Sequence, residues 1–537
     1  MEVNLLYLSA FVAILAALYH LLTKNNGYFH EKPIPSLVVK PLLGSVGDMI
    51  FQRVPIGEFV QTIYNKFPNV KVFGIFDLMT PVYVIRDPEL IKKLGVKDFD
   101  HFVDHLPVFG NSQYDHPNLL SGKTLFSLTG QRWRTMRATL SPAFTGSKMR
   151  QMFELILECS EQSVRYYEEN TRSTGSQVYE MKDVFSRFTT DVIATCAFGI
   201  QVDSSRDRNN EFFVNAKKMM DFGRPSAIIR FMGHRLCPAL MAYLGCDVLD
   251  EEQNTYFKKL ILGAIKEREK LGIVRPDMVN LLMQARKGTL KHQQEKEQQQ
   301  EGFATVQESE VGKAQGASTM TDVELVAQCL IFLLAGFDTV STTLLYASFE
   351  LAVNPDVQQK LYEEILETRS SLDGKSLTYD AIQKMNYMDM VISEVLRMWP
   401  PAPSIDRECI KDYQLDEGNG LKYTVEKGTA LWFPIHALHH DHKYFPEPEK
   451  FDPERFSDER KGSINTGAYI PFGIGPRNCI GSRFALAEVK TILYYMLGSF
   501  SFDKCSKTEM PPFPTKAFDI IPKNGMHIEF RPRANLD

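Results

Sequence analysis

Cysteine is scarce in this chain: there are eight in 537 residues, and no two have C-x2-C spacing. That spacing is the usual mark of a structural zinc site, which is therefore not expected. So few cysteines, with no N-x-[ST] sequon, also argue against a secreted disulfide scaffold and suit a reducing, cytosol-facing body. An excess of one charge is missing too. The 61 basic and 66 acidic residues leave a net charge of −5, so the balance gives no reason to expect nucleic acid. There is no internal repeat, and no flavin or nicotinamide fingerprint.

Hydrophobic residues make up 44% of the chain, which permits one large core. Most of the cysteines read as small buried apolar residues. The run Leu5–Leu22 is broken only by Ser9 and His20 and is long enough to span a bilayer. Glu2 precedes it and Lys24, Lys32 and Lys40 follow, a bias that leaves the body on the cytosolic side. A cleaved signal peptide would need a basic start and a small-residue cleavage site, and neither is convincing. Residues 1–23 are thus expected to be a membrane anchor. Residues 24–44, with Pro33, Pro35 and Pro41, should form a stiff extended hinge, and 45–537 a single domain.

Within that domain Val70–Phe76 and Pro81–Ile85 read as strands and 88–95 as a helix. From about 131 to 400 the helical period dominates, notably over Lys148–Asn170 and Asp322–Leu351. Asn524-Gly525, between Ile520-Ile521 and Met526–Phe530, signals a hairpin. Lys291–Ser318, rich in Gln, Glu, Lys and Gly, reads as a solvated loop. The expectation is a mainly α fold with a small sheet-rich portion near the N-terminus.

Pro471–Gly481 reads PFGIGPRNCIG. Phe472, Gly473, Gly475, Arg477, Cys479 and Gly481 fit F-G-x-G-x-R-x-C-x-G, a coincidence on the order of 10⁻⁸ per window at average residue usage. The glycines allow a tight turn and close approach to a flat macrocycle. Backbone N–H groups around Cys479 can stabilise its thiolate, and so can the N-terminal end of the helix that follows. In this loop the chain resembles the cytochrome P450 superfamily, and the resemblance covers almost the whole chain.

Further motifs of that family stand in the expected order. Ala335-Gly336-Phe337-Asp338-Thr339 matches its oxygen-activating motif. The resemblance implies that Gly336 loosens the helix, Thr339 holds a water with its hydroxyl, and Asp338 relays protons. Glu394-x-x-Arg397 with Arg455 matches a structural Glu-Arg-Arg network. Arg477, Trp133, Arg137 and Arg407 match positions that reach haem propionates, and His105 stands where many relatives carry an Arg. Phe332, Phe337, Ala402, Ile405 and Phe518 fall in segments that line substrate pockets, while 102–125 and 213–240 are expected to supply variable walls. Ile228, Ile229, Phe231, Leu240 and Met241 make the latter segment apolar enough to dip into a membrane surface.

RPDMVNLLMQARKG at Arg275–Gly288, with the AGFDT and FGIGPRNCIGSRFAL runs, is similar to insect microsomal enzymes of the ninth family. These share a clan with the mammalian drug-oxidising third family. The resemblance implies haem b with a cysteine thiolate ligand, and insertion of one oxygen atom from O2 into lipophilic substrates such as xenobiotics or insecticides. Electrons would come from NADPH through NADPH–cytochrome P450 reductase, with cytochrome b5 assisting, at the endoplasmic reticulum membrane. Arg132, Arg134, Lys148 and Lys490 would offer that partner a basic face. Oxidation of endogenous lipids or hormones, or a haem-thiolate isomerase or dehydratase needing no reductase, are the alternatives.

Overall fold

The computed structural model describes residues 2–107, 110, 113, 116, 119–290, 302–306, 320–510, 512 and 521–533. Helix takes up 55% of the chain and strand 10%, so the fold is mainly α. The helices that position the site are α1 (Glu2–Thr23), α2 (Gly130–Leu140), α3 (Gly146–Thr171), α4 (Met181–Ile193), α5 (Asp322–Val353), α6 (Asn386–Met398) and α7 (Ser482–Ser499).

The 32-residue α5 is the central pillar. Its first turn is closed by a capping box in which Thr321 and Glu324 satisfy each other's backbone N–H groups. Apolar residues cover nearly its whole circumference, so it must be surrounded, and it packs against α4, α6 and α7. Among the described residues α5 is also the helix long and apolar enough to cross a membrane by length and composition, but half of its apolar window is buried in the protein.

α1 is a 22-residue helix, about 33 Å long at 1.5 Å per residue, with Tyr7, Leu8, Phe11, Val12 and Tyr19 exposed. The segment after it is extended only in part. Tyr28–Glu31 forms a 3-10 turn that seats Phe29 against Phe76 and Tyr83, and just after Pro33 and Pro35 Ser36 bridges to Gly74. A Cβ on Gly74 would lie 2.7 Å from the Phe29 ring, so glycine is what lets this segment lie on the sheet.

Three sheets are present among the described residues. β1 (Val72–Asp77), β2 (Thr80–Ile85), β7 (Ala430–Phe433) and β4 (Ile405–Glu408) form one in the order β1-β2-β7-β4. The β2–β7 pair is parallel, with Tyr83 opposite Leu431. β5 (Tyr413–Asp416) pairs with β6 (Lys422–Val425). β3 (Gln177–Glu180), β9 (His527–Pro532) and β8 (Phe500–Lys504) form the third. The sheet-rich portion is therefore not only N-terminal, because residues 405–433 complete it. Asn524-Gly525 lies in a turn closed by Gly525 N–H donating to Pro522 C=O at 3.0 Å; β9 beyond it is flanked by β3 and by β8, and Ile520 of the expected hairpin lies outside the described residues. Most of Lys291–Ser318 lies outside the described residues, but Gly302–Val306 is not solvated as expected, since Ala304 is 3% exposed and packs into the core.

Candidate active site

The loop before α7 is built on two glycines in the left-handed region, Gly473 at φ +79° and Gly475 at φ +71°. A side chain at 475 would be blocked outright, since a Cβ there would lie 1.8 Å from the Gly95 carbonyl oxygen. The loop closes on itself where Cys479 N–H donates to Phe472 C=O at 2.9 Å. Arg137 of α2 holds it from the side, donating to the Asn478 carbonyl and side-chain oxygens at 2.9 and 2.8 Å. The Cys479 sulfur is accessible from an internal cavity yet enclosed by protein, and that burial raises the thiol pKa; an N–H from Gly481 and the charge of Arg137 pull the other way.

The cavity has a volume of about 410 Å³, within the usual range of ligand sites. It brings together Gly336, Thr339, Cys479, Phe472, Trp133, His105, Arg137, Arg407 and Arg477 from five separate stretches of chain. Of the expected pocket residues, Phe332, Ala402 and Ile405 line it. Phe337 does not. It sits one residue round the helix from Gly336, is 3% exposed, and faces Phe213 at 6.5 Å between ring centroids. Phe518 and its neighbours 516–519 lie outside the described residues, as does much of 108–118.

α5 runs unbroken through Gly336, so that glycine does not interrupt the helix. Its role is close packing, since a Cβ would lie 2.4 Å from the Ile193 side chain of α4. Thr339 Oγ1 donates to Ala335 C=O at 2.6 Å. Asp338 is absent from the cavity wall. Its carboxylate turns to Lys182 of α4 at 2.7 Å, and Lys182 Nζ also donates to Ser341 and Thr342 at 2.8 and 2.9 Å.

One part of the cavity wall is strongly cationic. Arg477 stacks on the Trp133 ring at 4.1 Å. Its donors are already committed, to the carbonyls of Val103, Leu125, Phe126 and Leu128 and to Asp104 at 3.5 Å. Arg407 is 1% exposed, and its Nε has no partner. Burial lowers Arg477 to about 9 and Arg407 to about 10. His105 stacks on Phe126 and meets Asp406 at 3.1 Å; burial lowers its pKa, so the neutral ring gives Asp406 its Nδ1–H. Asp406 also accepts from Leu106 N–H at 2.6 Å. Neither Asp406 nor Lys182 was singled out from the sequence, and each announces itself only through the residue it touches.

These facts bear on whether a haem fits. Three buried guanidiniums, Arg137, Arg407 and Arg477, face two nearby carboxylates, Asp104 and Asp406, and Arg407 keeps a donor unpaired. A buried cationic surplus of this kind calls for anionic groups, and two propionates would supply them. An apolar cavity with the Cys479 thiol set in a glycine-rich loop on its wall suits the rest of the macrocycle.

Behind the loop lies the network expected from Glu394, Arg397 and Arg455. Arg397 grips Glu394 at 2.7 and 2.9 Å, and Arg455 reaches the same carboxylate at 3.2 Å. Glu394 and Arg397 are fully buried and Arg455 nearly so. His439, unnoticed in the sequence, ties the network to the loop: its Nδ1–H donates to Arg397 C=O and its Nε2 accepts from Ile470 N–H, both at 3.1 Å. The expected basic face is smaller than the sequence suggests. Lys490 is 1% exposed and paired with Asp389 at 3.0 Å, so it belongs to the interior.

The cytochrome P450 family model matches residues 35–528. The chain is 43% identical to cytochrome P450 9e2 of Blattella germanica, over 98% of this chain and 97% of that protein. It is 42% identical to probable cytochrome P450 9f2 of Drosophila melanogaster, over 97% and 98% respectively. Cytochrome P450 6j1 of Blattella germanica is 33% identical over 97% and 96%.

Proposed function

Because the chain belongs to the cytochrome P450 family, whose monooxygenases use a haem with a cysteine thiolate, O2 and NADPH-derived electrons, we propose that Cys479 is the thiolate ligand and that this enzyme oxidises lipophilic xenobiotics. The observation that carries the reading is one apolar cavity shared by Cys479, by Gly336 and Thr339, and by three buried arginines. When bound, the haem supplies the oxygen-activating chemistry, and the thiolate's electron donation favours O–O cleavage.

The protein positions, shields and delivers protons. Arg407 and Arg137, with Trp133 and His105, would hold the propionates, and Arg477, whose N–H groups are committed to the protein, would add its positive charge beside them. Thr339 exchanges its Ala335 contact for a water or substrate-side partner and passes a proton inward. Asp338 hands protons from the surface, its side chain being 44% exposed and steered by Lys182. Phe332, Ala402 and Ile405 press a lipophilic substrate into place and exclude water.

α1 is read as the membrane anchor at the endoplasmic reticulum, with the enzyme body in the cytosol. Of the apolar residues expected to meet a membrane, Ile229 and Leu240 are exposed, as are Tyr243 and Leu244 just beyond them, while Ile228, Phe231 and Met241 are half-buried; the exposed ones suit the membrane surface. NADPH–cytochrome P450 reductase is the electron donor, with cytochrome b5 as auxiliary, and Arg132, Arg134 and Lys148 are the remaining basic contacts. The test is Cys479→Ala in the full chain. The thiolate-dependent carbon monoxide band of the reduced protein should vanish; its persistence at normal haem content would sink the ligand assignment. Product formation from a panel of lipophilic probes, with and without reductase, then tests the reaction and the partner.

A further inference from the structure

A short stretch of the long polar linker is seated on the cysteine side of the molecule. Gly302–Val306 turns tightly, with Thr305 N–H donating to Gly302 C=O at 3.0 Å. Phe303 lays its ring against Phe456 and Tyr469, centroids 5.1 and 5.3 Å away. Its N–H donates to Asp389 Oδ2 at 2.8 Å, while the other Asp389 oxygen faces the buried Lys490. Gly302 comes so close that a Cβ there would lie 1.8 Å from that carboxylate. Val306 then walls a recess whose other sides include Arg137, Phe144, Asn478, Cys479 and Arg483.

An electron bound for a thiolate-ligated group travels the shorter path when its donor docks on this face. We propose that Gly302–Val306 is a strap occupying part of that docking surface, and that it competes with the electron donor for the recess beside Cys479. The inference rests on the reductase reading above. The attachments are one aromatic ring, one buried alanine and one hydrogen bond from a backbone N–H, set against the conformational entropy lost in fixing Gly302–Val306. Such a hold is modest, and a donor that buries a larger area displaces it. A strap seated about 90% of the time would raise the donor's apparent dissociation constant about tenfold.

The experiment uses the full-length, haem-loaded enzyme and the double variant Phe303→Ser/Ala304→Asp, whose buried carboxylate cannot be reseated. Amide hydrogen exchange at Phe303 and Thr305 reports whether the strap is seated. Dithionite reduction under carbon monoxide reports whether the fold and haem seat survive; if they do not, Phe303→Ala replaces the double variant. The expected result is exchange at Phe303 and Thr305 about tenfold slower in the wild type than in the variant, and an unchanged dithionite-reduced spectrum. The half-saturating reductase concentration should fall about tenfold at the same maximal rate. An unchanged or higher half-saturation with the strap released overturns the proposal, and so does equal exchange in the two proteins. If dithionite reduces both proteins and reductase reduces neither, the reductase reading has failed. Reduced flavodoxin, another acidic flavoprotein, then serves as donor and is judged by the same shift.

Discussion

Glu394→Gln removes the carboxylate that two buried guanidiniums share, and it does so without opening a cavity. Arg397 and Glu394 are fully buried, and Arg455 is 6% exposed. Their remaining donors reach carbonyls that carry no full charge: His439 and Pro448 for Arg397, Pro446 and Glu447 for Arg455. The amide keeps one acceptor, so hydrogen bonding survives in part while the charge balance does not. Breaking a buried ion pair by removing one partner costs about 3–5 kcal/mol, and the retained acceptor places this case near about 3. A protein of this size with a bound cofactor is best followed by inactivation rate rather than equilibrium unfolding. The assay is the half-life of the thiolate-type carbon monoxide band at fixed temperature. It should shorten by about 100-fold if the cost falls on the folded state, since about 1.4 kcal/mol is tenfold. Adding Arg455→Met to Glu394→Gln removes one stranded cation and should restore part of the loss. Asp458→Asn, which breaks an exposed pair with Lys461, is the control and should change little. A half-life within about threefold of wild type for Glu394→Gln would refute the claim that this network supports the cysteine loop.

Three other outcomes are expected. Burial raises Glu350 to about 7, with Trp399 donating to one of its oxygens at 2.8 Å; the folded state therefore holds a proton that the unfolded state releases near 4.5, and stability falls as pH rises from about 4.5 through 7. Asp191 and Glu408 are also raised to about 7 and contribute in the same window, so the measurement is the difference in thermal inactivation between wild type and Glu350→Gln from pH 5 to 8, which should shrink this slope. Arg407→Met should have opposite effects on two forms: faster haem loss to a scavenging apoglobin, but a haem-free protein at least as resistant to heat, because an underpaired buried charge is gone. Equal haem release would remove Arg407 from the propionate role. Thr339→Ala should uncouple NADPH use from product and release peroxide, and unchanged coupling would mean that the Thr339 hydroxyl delivers no proton.

Much of the site was legible because its chemistry sits in contiguous motifs. The glycine-bracketed cysteine declares itself through its spacing, while the Gly-x-x-Thr on an apolar helix and the i, i+3 Glu–Arg pair share a face by local geometry but take their roles only from the family resemblance. The long helices were readable for the same reason: α3 and α5 follow the 3.6-residue period and lie close to their expected limits. Where the outcome depended on partners distant in sequence, periodicity carried no information. The sequence did not reveal that β9 pairs with β3 and β8, hundreds and tens of residues away. Lys490 looked like a surface cation, but Asp389 lies across from it.

The sequence by itself carried the family resemblance and the mainly α architecture, and through that resemblance it pointed to Cys479, Thr339, Glu394, Arg397 and the cavity arginines as candidates, because the motifs concerned span only a few positions each. Only the tertiary structure decided that Asp338 turns outward to Lys182, that Phe337 packs away from the cavity, that His439 links the buried network to Ile470, and that Gly302–Val306 rests beside the cysteine loop. Those outcomes depend on which of several similar neighbours a side chain meets after the chain has closed loops of tens to hundreds of residues. That choice is made by packing and by the need to satisfy buried polar groups, and no local pattern in the sequence records it.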